Sequence, residues 1–179
     1  LSPDATAICG TYDAHTARMP ALHSGKSLTF GENHSDDIRA TDIELREGFA
    51  HFDLVTPDGR NTVALRLIGT HQVSNALAAA AIAHALGLTN DQIAAGLSMA
   101  ESHAPWRMEV HHLSNLLLIN DAYNASPDSM AAAMRTLLHF AQERGGESWA
   151  FVGTMRELGA SSDVEHAAIG RLAAGLGID

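Results

Sequence analysis

Cysteine and lysine are almost missing from this chain: Cys9 and Lys26 are the only examples of each. A lone cysteine excludes a disulfide framework and a cysteine-rich metal centre. Near-absence of lysine, with 11 basic against 21 acidic residues and a net charge of −10, disfavours nucleic-acid partners, because phosphate binding needs clustered cations. Aromatic residues make up only 5%. Long apolar runs are absent too. The stretch around Ala76–Ala83 is mostly alanine and falls short of the ~18–20 apolar residues that span a bilayer, so no membrane insertion is expected. The opening LSPDATAICG has no basic stretch leading into an apolar core, so no signal peptide is expected and a cytoplasmic setting follows as the default. What remains is a globular composition, 46% hydrophobic and 18% charged.

Periodicity divides the chain. In residues 1–35 only short pieces are legible: strands at Ala5–Cys9 and Ser27–Phe30, and a helical turn at Ala14–Met19 that Pro20 should end. Residues 38–68 alternate apolar and polar positions in three runs, around Ile43 and Leu45, Ala50 to Leu54, and Val63 to Leu67. Glu47-Gly48 and Pro57-Asp58-Gly59-Arg60 supply the turns, which predicts a three-stranded antiparallel meander. The period then lengthens to that of helices. One is expected over His71–Leu86, stopped by Gly87, and a second opens at Thr89, with Gln92 at capping-box spacing.

A proline-containing, aperiodic segment, Ser102–Arg107, marks a domain boundary, dividing residues 1–104 from 105–179. Beyond it, strands are expected at Met108–Leu113, Leu116–Asn120 and Trp149–Gly153. Helices are expected at Pro127–Arg144 and Ser162–Leu176, the latter with Ser162 and Glu165 at capping-box spacing. Alternating strands and helices predict a partial, Rossmann-like parallel α/β domain, so the fold class is α/β throughout.

Several segments carry chemistry. Gly25-Lys26-Ser27 looks like the tail of a phosphate-binding loop, but Pro20 replaces the glycine such a loop requires, and the segment leads into a strand rather than a helix. Eleven histidines show no metal-ligand spacing, and His111 and His112 point to opposite faces of a strand. His71 and Asn75 share one face at the start of the alanine-rich helix, where an asparagine amide can read an adenine edge bidentately. The same segment also reads as a plain helix packed on the meander. The run Asn120–Met130 leaves a strand at its carboxyl end and enters a helix, the place where open α/β sheets bind ligands. There Asp121 can accept ribose hydroxyls, Tyr123 offers a flat face and Asn124 offers an amide; an ordinary capped loop is the other reading. Arg107, next to the boundary, suits a phosphate or a surface ion pair. His166, early in the last helix, can face the same cleft.

Together these segments resemble the Mur ligase family. The resemblance rests on Gly69–Ala81 (GTHQVSNALAAAA), Arg107 after the boundary, Asp121-x-Tyr123-Asn124-Ala125-x-Pro127-Asp128-Ser129-Met130, and Met155-x-Glu157-Leu158-Gly159-x-x-Ser162 with His166 following. The YNA-x-PDSM string is similar to the branch that adds D-alanyl-D-alanine. Gln72 replaces the usual asparagine after the histidine, and the segment Cys9–Asp13 lacks the family's Asn-Ala-Asp-Asp, so nothing is carried over to residues 1–35.

The resemblance implies an ATP-dependent amide ligase of cytoplasmic peptidoglycan-precursor synthesis. Its substrates would be UDP-N-acetylmuramoyl-tripeptide and D-alanyl-D-alanine, and its intermediate an acyl phosphate. His71 and Asn75 would lie at the adenine, Asp121 at the ribose, Arg107 at a phosphate, and Tyr123, Asn124 and His166 at the substrate cleft. Mg²⁺ ligands and the phosphate-loop lysine would lie upstream of residue 1. The chain would then hold the end of a central ATPase domain and the start of a C-terminal domain, inactive by itself and prone to self-association, from a parent that works as a monomer. A non-catalytic binding module of the same architecture is the alternative, and a folylpolyglutamate synthase a weaker one.

Overall fold

The computed structural model describes residues 2–102 and 104–179; of the expected boundary segment, His103 lies outside the described residues. The chain forms two compact units, Leu1–Glu101 and Ser102–Asp179. The fold is mixed α/β. No helix among the described residues is long and apolar enough to cross a membrane.

The first unit is a five-stranded sheet in sequential order with two helices. The strands are β1 (Thr6–Gly10), β2 (Lys26–Gly31), β3 (Ile38–Arg46), β4 (Phe49–Thr56) and β5 (Gly59–Ile68). β1, β2 and β3 run parallel, and β3, β4 and β5 form the antiparallel meander. Glu47 (φ 52°) and Gly48 (φ 79°) both adopt left-handed backbone, as a tight hairpin turn whose twist matches its strands requires. Alternation in β4 sends Ala50, Phe52, Leu54 and Thr56 inward. They meet Val63 and Leu65 of β5 and the small-residue face of α1 (His71–Ala85), with Val73, Ala76, Leu77, Ala80 and Ala81 buried. α2 (Asn90–Met99) starts with the expected capping box: Thr89 Oγ1 accepts from Gln92 N–H at 3.3 Å, and Gln92 Oε1 accepts from Thr89 N–H at 2.9 Å. Buried Thr56 ties this helix to the sheet, donating to Asn90 Oδ1 at 2.8 Å.

Within residues 2–35 the helical turn departs from expectation. The helical turn is a 3₁₀ segment, Thr16–Leu22, with Pro20 inside it. Proline fits there because its fixed φ suits the conformation and short helices leave many N–H groups unpaired anyway.

The second unit contains β6 (Glu109–His112), β7 (Leu117–Asn120), α3 (Pro127–Arg144) and α4 (Ser162–Leu176). Its core holds Met134, Met155, Ile169 and Ile178. α3 begins at Pro127, is capped by Ser126, and ends at left-handed Gly145 (φ 63°). Two expectations need correction. β6 and β7 pair as an antiparallel hairpin, closed by Leu113 N–H on the Leu116 carbonyl, because a few-residue connection cannot make a parallel crossover. Trp149–Gly153 forms no strand ladder among the described residues. Its neighbourhood instead exchanges two bonds with Asp179 in the parallel pattern: Ala150 N–H to the Asp179 carbonyl at 2.7 Å, and Asp179 N–H to the Ser148 carbonyl at 3.0 Å. A strand needs paired neighbours as well as an apolar run, and here the pairing is confined to one residue.

Candidate nucleotide-binding site

In the second unit the loop after β7 and the segment before β6 are fastened together. Asp121 Oδ1 accepts the Met108 N–H at 3.0 Å, and Tyr123 N–H donates to the Trp106 carbonyl at 3.1 Å. Between these two bonds the Arg107 guanidinium lies 4.1 Å from the centre of the Tyr123 ring. This is cation–π distance. Trp106 (φ 61°) and Met108 (φ 50°), on either side of Arg107, are both left-handed. Bulky residues rarely take that conformation, at a cost of roughly 1–2 kcal/mol each. Backbone strain of this kind persists where surrounding contacts enforce it. Here the enforcing contacts are the Asp121 carboxylate on the Met108 N–H, the Tyr123 N–H on the Trp106 carbonyl, and the ring stack.

The loop thus brings Arg107, Asp121 and Tyr123 together. Asp121 spends one oxygen on Met108 and has a second acceptor oxygen. Asn124 accepts the Ala125 N–H at 2.9 Å through its side-chain oxygen, which leaves its NH₂ as a donor. Ser126 then caps α3, accepting the Ser129 N–H at 3.3 Å. Asp128 in the first turn complements the helix dipole.

His166 is held differently. Its Nε2 accepts the Met155 N–H at 3.0 Å, and its Nδ1 lies 2.7 Å from the Ser162 carbonyl. Both bonds together require a neutral ring protonated on Nδ1. His166 therefore pins the loop at Met155 to α4. Ser162 makes no capping box with Glu165: Ser161 occupies the N-cap, and its hydroxyl donates back to the Leu158 carbonyl at 2.8 Å instead of capping, because a 3₁₀ turn, Gly159–Ser161, feeds straight into the helix.

In the first unit, His71 and Asn75 sit on the first turns of α1, and Gln72 joins them. Asn75 Nδ2 donates to Gln72 Oε1 at 3.0 Å, and Gln72 Nε2 is 3.2 Å from His71 Nε2. The Asn75 side chain is exposed. Gly25-Lys26-Ser27 is no phosphate loop. Lys26 pairs with Thr6 at the start of β2, and a Cβ on Gly25 would run into the Pro3 and Ala5 carbonyls, so glycine serves close backbone packing there.

No group of three His, Cys, Asp or Glu among the described residues is placed to hold a metal ion. Sequence reasoning missed the left-handed Trp106 and Met108, which bulky side chains give no reason to expect. It also missed the double engagement of His166; the histidine lying one helical turn after Ser162 was the available signal.

The first unit's mixed sheet with its alanine-faced helix, and the second unit's strand-to-helix loop with its stacked arginine, are α/β architectures of the kind that carry ligand sites at strand ends. The chain belongs to the Mur ligase family: residues 1–83 match the Mur ligase middle domain, and residues 106–179 match the Mur ligase, glutamate ligase domain. Among curated relatives, the UDP-N-acetylmuramoyl-tripeptide–D-alanyl-D-alanine ligase of Mycobacterium bovis is 37% identical over 170 residues, covering 93% of this chain and 33% of the relative. Among solved structures, a crystal structure of MurF from Acinetobacter baumannii superimposes with a TM-score of 0.87 at 38% identity, covering 97% of this chain and 37% of that one. MurF ligase from Thermotoga maritima, in complex with ADP, gives 0.78 at 27% identity, covering 96% and 38%. The chain spans about a third of the length of these relatives.

Proposed function

We propose that this chain works in an ATP-dependent ligase that joins D-alanyl-D-alanine to UDP-N-acetylmuramoyl-tripeptide, and that its residues serve the nucleotide. The tripeptide carboxylate takes the γ-phosphoryl group of ATP, giving an acyl phosphate and ADP. The amine of D-alanyl-D-alanine attacks the acyl carbon, and phosphate leaves as the amide forms. Two nucleotide-linked substrates, ATP and a UDP-sugar peptide, suit a cytoplasmic enzyme, and we take it to act as a monomer. Mg²⁺, where bound, would supply neutralisation of phosphate charge; no group of three possible ligands lies among the described residues.

The observation that carries the reading is the fastened loop of Arg107, Asp121 and Tyr123 at the carboxyl end of β7. Phosphoryl transfer asks mainly for positioning and charge neutralisation. Asp121 offers its second oxygen to the ribose diol. Arg107 supplies a planar, permanently charged donor for a phosphate, and Tyr123 holds it ready as a flat support. Asn75 reads the adenine edge, with His71 behind it. Asn124 lines the substrate cleft, and His166 contributes by fixing the Met155 loop.

The test is coupled ADP release by the full-length protein with UDP-N-acetylmuramoyl-tripeptide, ATP and Mg²⁺, with and without D-alanyl-D-alanine. Turnover that depends on the dipeptide is expected. No turnover with any amino-acid or dipeptide acceptor would leave the non-catalytic module as the reading. The 179 residues by themselves are expected to release no ADP, since Gly25-Lys26-Ser27 starts a strand and no phosphate-binding lysine loop is present in them.

A further inference from the structure

Gln72 bonds to two neighbours that bear on the base. Its Oε1 accepts from Asn75 Nδ2 at 3.0 Å, and its Nε2 is 3.2 Å from His71 Nε2. We propose that Gln72 is a positioning residue that fixes which way the Asn75 amide faces, and that this orientation sets a preference for adenine over guanine nucleotides. The inference rests on the adenine contact proposed for Asn75.

The chain of bonds has a direction. Gln72 Nε2–H donates to His71 Nε2, Asn75 Nδ2–H donates to Gln72 Oε1, and Asn75 is left with Oδ1 and one N–H for a ligand. Adenine presents an N6 donor beside an N7 acceptor, and these match Oδ1 and N–H together. Guanine presents two acceptors, O6 and N7, so Oδ1 would oppose O6. Rotating the Asn75 amide by half a turn would offer a donor to O6, but it would also set Oδ1 against Gln72 Oε1, acceptor against acceptor. Gln72 cannot rotate with it without turning its own oxygen onto His71 Nε2. Only a proton on that nitrogen would permit the reversal. The extra methylene of glutamine, relative to asparagine, lets one amide reach both the preceding residue and the residue one turn on.

Titration calorimetry of the full-length protein with ATP and with GTP tests this. Gln72→Met keeps length without hydrogen bonds, and Gln72→Glu keeps the acceptor facing Asn75. In Gln72→Met the ATP-to-GTP affinity ratio is expected to fall about tenfold, the size of one bidentate base contact. In Gln72→Glu the ratio should stay near that of the unaltered protein. Matched thermal melts show that Gln72→Met folds; Gln72→Leu substitutes for it if it does not. Asn75→Ala separates the two layers of the argument. Unchanged ATP affinity in Asn75→Ala overturns the base contact and this inference with it. Weakened ATP binding in Asn75→Ala, with an unchanged ratio in Gln72→Met, overturns this inference alone. So does a ratio that falls as far in Gln72→Glu as in Gln72→Met.

Discussion

Asp121 is asked to do two things, and substitution separates them. Its Oδ1 holds the Met108 N–H at 3.0 Å, which keeps a left-handed residue in place beside Arg107. Its second oxygen is the proposed ribose acceptor. Asp121→Asn keeps an oxygen for Met108 but loses the charge, so the loop should persist while nucleotide affinity falls about 10- to 100-fold, the worth of hydrogen bonds to a charged acceptor. Asp121→Ala should show the same loss of affinity plus about 1 kcal/mol of stability from the orphaned N–H. Equal destabilisation in both variants, read by urea unfolding, would show that the oxygen on Met108 does not matter.

Tyr12 makes a second residue-scale case, outside the proposed site. Partial burial of this half-exposed ring, followed by the nearby carboxylate of Glu32 and then that of Asp36, pushes its phenol above the ordinary tyrosine range. Its folded pKa is raised, so its contribution is complete below the unfolded tyrosine pKa of about 10 and is lost as pH rises through the folded value. Alkaline unfolding should therefore be less steep in Tyr12→Phe than in the unaltered protein. Tyrosinate absorbance at high pH should lose its late-rising part in the same variant. An unchanged absorbance titration would mean that the phenol is not shielded.

At the scale of elements, two serines with similar sequence spacing behave differently. Ser126 accepts the Ser129 N–H and caps α3, so Ser126→Ala should cost about 1 kcal/mol. For a unit of this size that is a drop of roughly 4–8 °C in Tm. Ser162 caps nothing, and its hydroxyl makes only a 3.4 Å contact with His166 Nδ1. Ser162→Ala should stay within about 0.5 kcal/mol. Thermal melts of the pair check the contrast, and equal shifts would refute it. α3 was legible to the residue because its ends are marked by local chemistry, Ser126-Pro127 before it and Gly145 after it. The meander was legible because alternation and turn residues agreed. The direction of β6 and β7 and the state of Trp149–Gly153 were not legible, because pairing is a property of neighbours distant in sequence. In the candidate site, residue types and order pointed to Arg107, Asp121 and Tyr123, but the strained backbone that seats Arg107 depends on bonds formed only in the fold.

At the scale of the whole molecule, the two units differ in how much apolar side chain each buries. The first has a continuous core in which Phe52, Ile38, Leu54, Leu77, Val63 and Val73 are fully buried. The second, among the described residues, clusters Met134, Met155, Ile169 and Ile178, of which Ile169 and Ile178 keep 7% and 8% exposure. Burial of apolar area is the main source of stability, about 25 cal/mol per Å². The second unit should therefore unfold at a lower temperature or urea concentration than the first, and the chain should show two transitions rather than one. Core substitutions assign them. Leu54→Ala, at a position with no exposure, should cost about 2–5 kcal/mol and move only the later transition. Met134→Ala, 4% exposed on α3, should move only the earlier one. Calorimetry on the unaltered protein and these two variants decides the matter. A single transition that both substitutions lower together would mean that the units unfold as one cooperative body, and the difference in their cores would then have no thermodynamic consequence of its own.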